Sequence, residues 1–154
     1  QLYGSEEFRN FLCMVLSETA LYEYADTLSS INLHYADPGQ ELGWHFDNSS
    51  FAITLMINAS EQGGRFEYVS NVRNFEKGEL NYEGVEAVLD GNAPVQVLNM
   101  QAGALVLFRG RDALHRVSPV EGLKTRILVG LAYNKEPGVA LSKSARQMFF
   151  GRMS

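Results

Sequence analysis

At 154 residues with 45% hydrophobic content, the chain has the length of one ordinary domain and enough apolar side chains for a sizeable core. Eighteen acidic against thirteen basic residues leave a net charge of −5, and no basic cluster exceeds Arg109-Gly-Arg111, which argues against nucleic acid as a partner. No apolar run approaches the roughly 18 residues of a membrane span, and the lone Cys13 has no internal disulfide partner, so a soluble, cytoplasmic protein with no membrane contact is expected. The expected organisation is a single domain over 1–154, with the opening Gln1 leaving room for a missing N-terminal piece.

Ser5 followed by Glu6 and Glu7 starts a helix, and Phe8, Phe11, Leu12, Val15 and Leu16 recur at helical spacing, predicting one amphipathic helix over about 5–26. The period then changes. Ile31, Leu33 and Tyr35 alternate with Asn32 and His34, a strand closed by the turn Asp37-Pro38-Gly39. Further strands are predicted over 42–47, 51–58, 64–70, 94–100, 104–108, 113–117 and 125–134, with a short helical piece near 82–90 and a closing helix over 142–151. Short strands separated by Gly, Asn, Asp and Pro, with helices mainly outside the series, disfavour parallel βαβ units. They predict an all-β core, a sandwich or jelly roll, flanked by an N-terminal helix and a short C-terminal helix. The segments 61–65 and 71–93 are expected to form flexible covers over a site.

Residues i and i+2 of a strand share a face, so His45 and Asp47 can present an imidazole and a carboxylate to one point. His115, near the end of a later strand, supplies a third candidate ligand. Two histidines and a carboxylate on one face of an ion, with other positions open, are typical of non-haem Fe(II) oxygenases; two polar residues at a strand end are the plainer alternative. Arg126, inside the run "TRILVGLAY", is costly to bury without an anionic partner, either a bound carboxylate or an Asp or Glu of the chain.

The pattern Tyr35-x-x-x-Gly39, His45-x-Asp47, His115-x-Val117-x-Pro119, Arg126 resembles the Fe(II)/2-oxoglutarate-dependent dioxygenases in their prolyl-hydroxylase-like branch. "WHFDNSSFAITLMINASEQGGRFEYVSNVRN", "LFRGRDALHRVSPVEGLKTR" and "LAYNKEPG" further resemble the bacterial group of free amino-acid halogenases and their hydroxylase relatives. The resemblance implies a double-stranded β-helix, Fe(II) held by His45, Asp47 and His115, and 2-oxoglutarate chelating the iron while its distal carboxylate pairs with Arg126, with O2 as the other cosubstrate. It also implies a supporting hydrogen bond to 2-oxoglutarate from Tyr35, with Ser118 and Thr125 as further candidates. His34, out of phase with Tyr35, is expected behind the ligands or on the surface. The halogenases of that group carry glycine where Asp47 stands, leaving a coordination position for chloride. With the carboxylate present, the implied reaction is hydroxylation of a C–H bond coupled to decarboxylation of 2-oxoglutarate to succinate and CO2.

The expected substrate is a small molecule, a free amino acid, with Asn48, Asn134, Glu67, Arg73 and Arg109 as polar candidates for holding it. Two alternatives are a hydroxylase of residues in proteins and a cupin-like module that binds a metal or ligand without turnover.

Overall fold

The computed structural model describes residues 2–151. Helix α1 (Glu6–Leu16) begins where the Ser5 hydroxyl accepts a hydrogen bond from the Phe8 amide at 3.2 Å, with Glu6 and Glu7 at the positive end of the helix dipole. It stops well short of the expected residue 26. Ser17 turns left-handed at φ 57°, and the Glu18 amide reaches back to the Cys13 carbonyl at 2.9 Å. The apolar residues beyond, which continue the helical spacing, serve differently: Leu21 and Tyr24 enter the core and Tyr22–Glu23 form strand β1. Asp26 caps a single turn, α2 (Thr27–Ser30), through the amides of Leu28 and Ser29.

The strand series follows as β2 (Ile31–Ala36), β3 (Leu42–His45), β4 (Phe51–Asn58), β5 (Gln62–Gly63) and β6 (Phe66–Val69). Helix α3 (Tyr82–Leu89) interrupts it before β7 (Gln96–Leu98), β8 (Leu105–Phe108), β9 (Leu114–Val117), β10 (Val120–Glu121) and β11 (Arg126–Asn134). Helix α4 (Lys143–Phe150) closes the described chain and ends at Gly151, φ 66°.

One sheet runs β1-β11-β4-β8 with β2 also on β11, and the other runs β3-β9-β6-β7. Every pairing is antiparallel, and β5 and β10 form a separate small ribbon. The two sheets face each other as a jelly roll: Met56 and Leu128 of the first pack with Phe66 and Leu98 of the second. Outside the first sheet, α1 sets Leu12 against Phe51, Ile53, Leu131 and Tyr133. Outside the second, Val72 and Val88 pack with Leu114, Trp44 and Phe46. The segment 71–93 is therefore no loose cover; it carries α3 onto the back of a sheet, and the amides of Val72 and Arg73 are tied to the Asp112 carbonyl. Nor is 61–65 a flexible flap. A Cβ at Gly63 would stand 2.0 Å from the Pro119 carbonyl oxygen, so the ribbon admits only glycine there. Among the described residues, no helix is long and apolar enough to cross a membrane.

Candidate metal centre

β3 and β9 lie side by side, and their register sets His45 directly opposite His115. Each ring is oriented by the same local device. His45 Nδ1 lies 2.8 Å from the Gly43 carbonyl and His115 Nδ1 lies 2.9 Å from the Ala113 carbonyl, each two residues back along the chain. The carbonyls can only accept, so each Nδ1 carries the proton and each Nε2 keeps a free lone pair. Burial holds the His45 pKa below its ordinary value and the neighbouring His115 adds to this, favouring the neutral form that ligates metals. Phe108 meets the His115 ring edge-on at 4.5 Å and Phe66 flanks it at 5.6 Å, a dry wall that fixes the imidazole.

Asp47 lies just past β3, where its amide donates to the Gly110 carbonyl at 2.9 Å. Its Oδ1 stands 3.8 Å from His45 Nε2 and 3.6 Å from His115 Nε2, too far for hydrogen bonds. The three ligand atoms lie within 4.8 Å of one another, the one metal-competent cluster of three or more such groups among the described residues. Small side-chain rotations would bring them onto one ion at roughly 2 Å from each. Three donors, from two neighbouring strands and the residue just past one of them, leave the remaining side of such an ion open, so the residues fit Fe(II) in the two-histidine, one-carboxylate arrangement.

Gly110 is a member of this site that the sequence did not single out. A Cβ there would fall 1.8 Å from Asp47 Oδ2 and 2.5 Å from its Cγ, so the carboxylate occupies the space the glycine leaves. Only the "RGR" context marked the position, and it read as a basic pair.

Arg126, at the start of β11, is 4% exposed. No Asp or Glu pairs with it among the described residues, and its Nε has no hydrogen-bond partner. Burial accordingly lowers its pKa. Of the two partners open to it from sequence, an acid of the chain is absent among the described residues. The guanidinium instead lines a cavity of about 700 Å³ together with Ser118, Gly64, Met56 and Met100. Gly64 makes the room, since a Cβ there would stand 3.0 Å from Arg126 Cδ. A buried, unpaired guanidinium facing a cavity fits a bound carboxylate.

The weaker candidates divide. Ser118 shares the Arg126 cavity, although its hydroxyl also accepts from the Arg65 amide at 3.0 Å. Tyr35 does not join it: opposite Ile127 in the β2–β11 register, it lies on the outer face of the sheet and is 61% exposed. Thr125 is turned away as well, its hydroxyl donating to Asp37 at 2.6 Å. His34 takes the inward place instead, opposite Leu128. Several of the polar candidates for substrate are engaged within the chain: Glu67 with Arg116, Arg109 with Glu18, Asn134 Oδ1 with the Ser50 amide, and Arg73 stacked 3.8 Å from the centre of the Phe46 ring. The Asn48 carbonyl accepts from Arg111.

Residues 1–149 match the family model described as Halogenase D. No curated protein matches the chain. Among solved structures it is similar to an oxidoreductase of the 2OG-Fe(II) oxygenase family from Burkholderia pseudomallei, at 14% identity and TM-score 0.65, over 90% of this chain and 55% of that one. It is also similar to a prolyl-4-hydroxylase from Pseudomonas putida, at 16% identity and TM-score 0.52, over 84% of this chain and 61% of that one. A third likeness is to PvcB, an Fe, alpha-ketoglutarate dependent oxygenase from an isonitrile synthetic pathway, at 12% identity and TM-score 0.51, over 84% of this chain and 71% of that one. The chain thus spans little more than half the length of the first of these. At such identities the likeness is one of fold, the jelly roll of the Fe(II)/2-oxoglutarate oxygenases.

Proposed function

We propose, because the chain belongs to the Halogenase D family and carries the fold of the Fe(II)/2-oxoglutarate oxygenases, that it hydroxylates a free amino acid at the expense of 2-oxoglutarate and O2. The observation that carries the hydroxylase reading is Asp47, whose carboxylate sits beside both Nε2 atoms against a glycine that leaves it space. His45, Asp47 and His115 would hold Fe(II), and Arg126 would pair with the distal carboxylate of 2-oxoglutarate. Iron so bound supplies the activation of O2, coupled to oxidative decarboxylation of the cosubstrate. The chain's own part is placement: imidazoles oriented by backbone carbonyls, a carboxylate that offsets part of the metal charge, an arginine that sets the cosubstrate's direction, and aromatic rings that keep water from one side of the centre. The reaction balances as substrate C–H, O2 and 2-oxoglutarate giving substrate C–OH, succinate and CO2.

The family's description favours a second reading, halogenation. The two part at Asp47, because a carboxylate ligand occupies the position that chloride would need. The test is product mass from a panel of free amino acids, basic and medium-length aliphatic ones first, and of peptides, incubated with Fe(II), 2-oxoglutarate and saturating chloride. A product heavier by one oxygen atom supports the proposal. A chlorinated product would replace it with the second reading, and oxidation of peptides alone would move the substrate to proteins.

A further inference from the structure

We propose that His34 is a binding residue for 2-oxoglutarate, donating a ring N–H to one of its carboxylates. This rests on the reading of Arg126 and the iron ligands given above. The β2–β11 register pairs Ala36 with Arg126, His34 with Leu128 and Asn32 with Gly130. Cross-strand partners share a face, so Ala36, His34 and Asn32 look to the same side as Arg126, and Tyr35 to the other. That side is the interior of the jelly roll, because Leu128 there meets Met56 and Met100. His34 and Arg126 are one inward position apart on neighbouring strands, roughly 7 Å along the sheet.

The other end of the reach is set by charge. His34 lies near enough to Asp47 and to Arg126 to feel both, Asp47 raising its pKa and Arg126 lowering it, and His45 in turn feels His34. The imidazole is thus within electrostatic reach of both the iron ligands and the arginine, the two groups that a five-carbon diacid would have to touch. Gly130 lies beside the ring: a Cβ there would stand 3.7 Å from His34 Nε2, in ordinary van der Waals contact. Neither ring nitrogen has a hydrogen-bond partner among the described residues, and the side chain is open to solvent. Partial burial and then the Arg126 charge lower its pKa, favouring the neutral ring, which brings one N–H donor without a second positive charge beside the arginine. Ala36, the inward neighbour nearest Arg126, can donate nothing from its side chain, and the Asn32 side-chain amide already donates to the Ser29 carbonyl, which leaves His34 as the uncommitted inward donor of β2.

The test is an anaerobic titration of the Fe(II)-loaded protein with 2-oxoglutarate, following the visible absorption of the chelate, for wild type, His34→Phe, His34→Gln and Arg126→Ala. A hydrogen bond to a charged group of ordinary strength corresponds to a rise in Kd of about tenfold or more in His34→Phe. His34→Gln, which keeps an N–H donor, recovers part of it, and Fe(II) affinity is the same in all three. An unchanged 2-oxoglutarate Kd in His34→Phe, with Arg126→Ala still weakened, overturns this inference and leaves the function standing. Unchanged affinity in Arg126→Ala overturns the reading on which it rests.

Discussion

Arg126 and Gly110 define the site by what is missing around them. Removing a buried cation that lacks a partner does not leave an orphaned acid behind, so Arg126→Ala is expected to cost the apoprotein less than about 1 kcal/mol, unlike the 3–5 kcal/mol typical of breaking a buried ion pair. The same substitution should weaken 2-oxoglutarate by roughly 2 kcal/mol or more, about 30-fold, since a charge-assisted pair is lost. Denaturant unfolding beside a 2-oxoglutarate titration separates the two quantities, and a large stability loss would show that the guanidinium serves the fold. At Gly110 the expectation is steric. Alanine would put a methyl group where Asp47 Oδ2 now lies, so Gly110→Ala should lower Fe(II) affinity markedly. In an Asp47→Gly background, where nothing is left to displace, it should lower it no further. Additive losses in that double-mutant cycle, read by Fe(II) titration, would mean that Gly110 acts on something other than the carboxylate.

The elements divide labour between holding the fold and holding the site. Helix α1 covers the sheet face opposite the metal centre and buries Leu12 completely. Leu12→Ala is therefore expected to cost roughly 2–5 kcal/mol through a cavity among Phe51, Ile53 and Tyr133, with Fe(II) affinity in the folded protein unchanged. Chemical denaturation and metal titration of the one variant test both halves, and a loss of metal affinity without a loss of stability would contradict this division. The strands were legible because β4 and β11 are long apolar runs bounded by turn residues, and the triad was legible because His45 and Asp47 stand two apart in a stretch that reads as a strand, although β3 itself ends at His45. The end of α1 was not: Leu21, Tyr22 and Tyr24 continue the helical spacing, and the left-handed Ser17 leaves no sign in composition. The facing of β2 also went wrong, for a general reason. Alternation tells which residues share a face but not which face turns inward, and here the apolar set Ile31, Leu33 and Tyr35 is the exposed one. Thr125 failed similarly, as a neighbour of Arg126 in sequence and therefore on the opposite side of the strand. Gly110 and Gly64 could not be found at all, because their role is the space they leave for residues distant in sequence.

In the molecule as a whole, the metal-competent cluster at β3 and β9 and the buried arginine at the start of β11 share the interior between the two sheets. A binding module without turnover would need the first and not the second. If Fe(II) and 2-oxoglutarate bind together, each through the residues assigned to it, anaerobic addition of 2-oxoglutarate to the Fe(II)-loaded protein measures this directly. The weak visible absorption of a bidentate chelate should develop and saturate with one equivalent of iron per chain, vanish in His115→Ala, and require much more 2-oxoglutarate in Arg126→Ala. A folded wild-type protein that binds Fe(II) but develops no such band, or one whose band is the same in His115→Ala, would contradict the account.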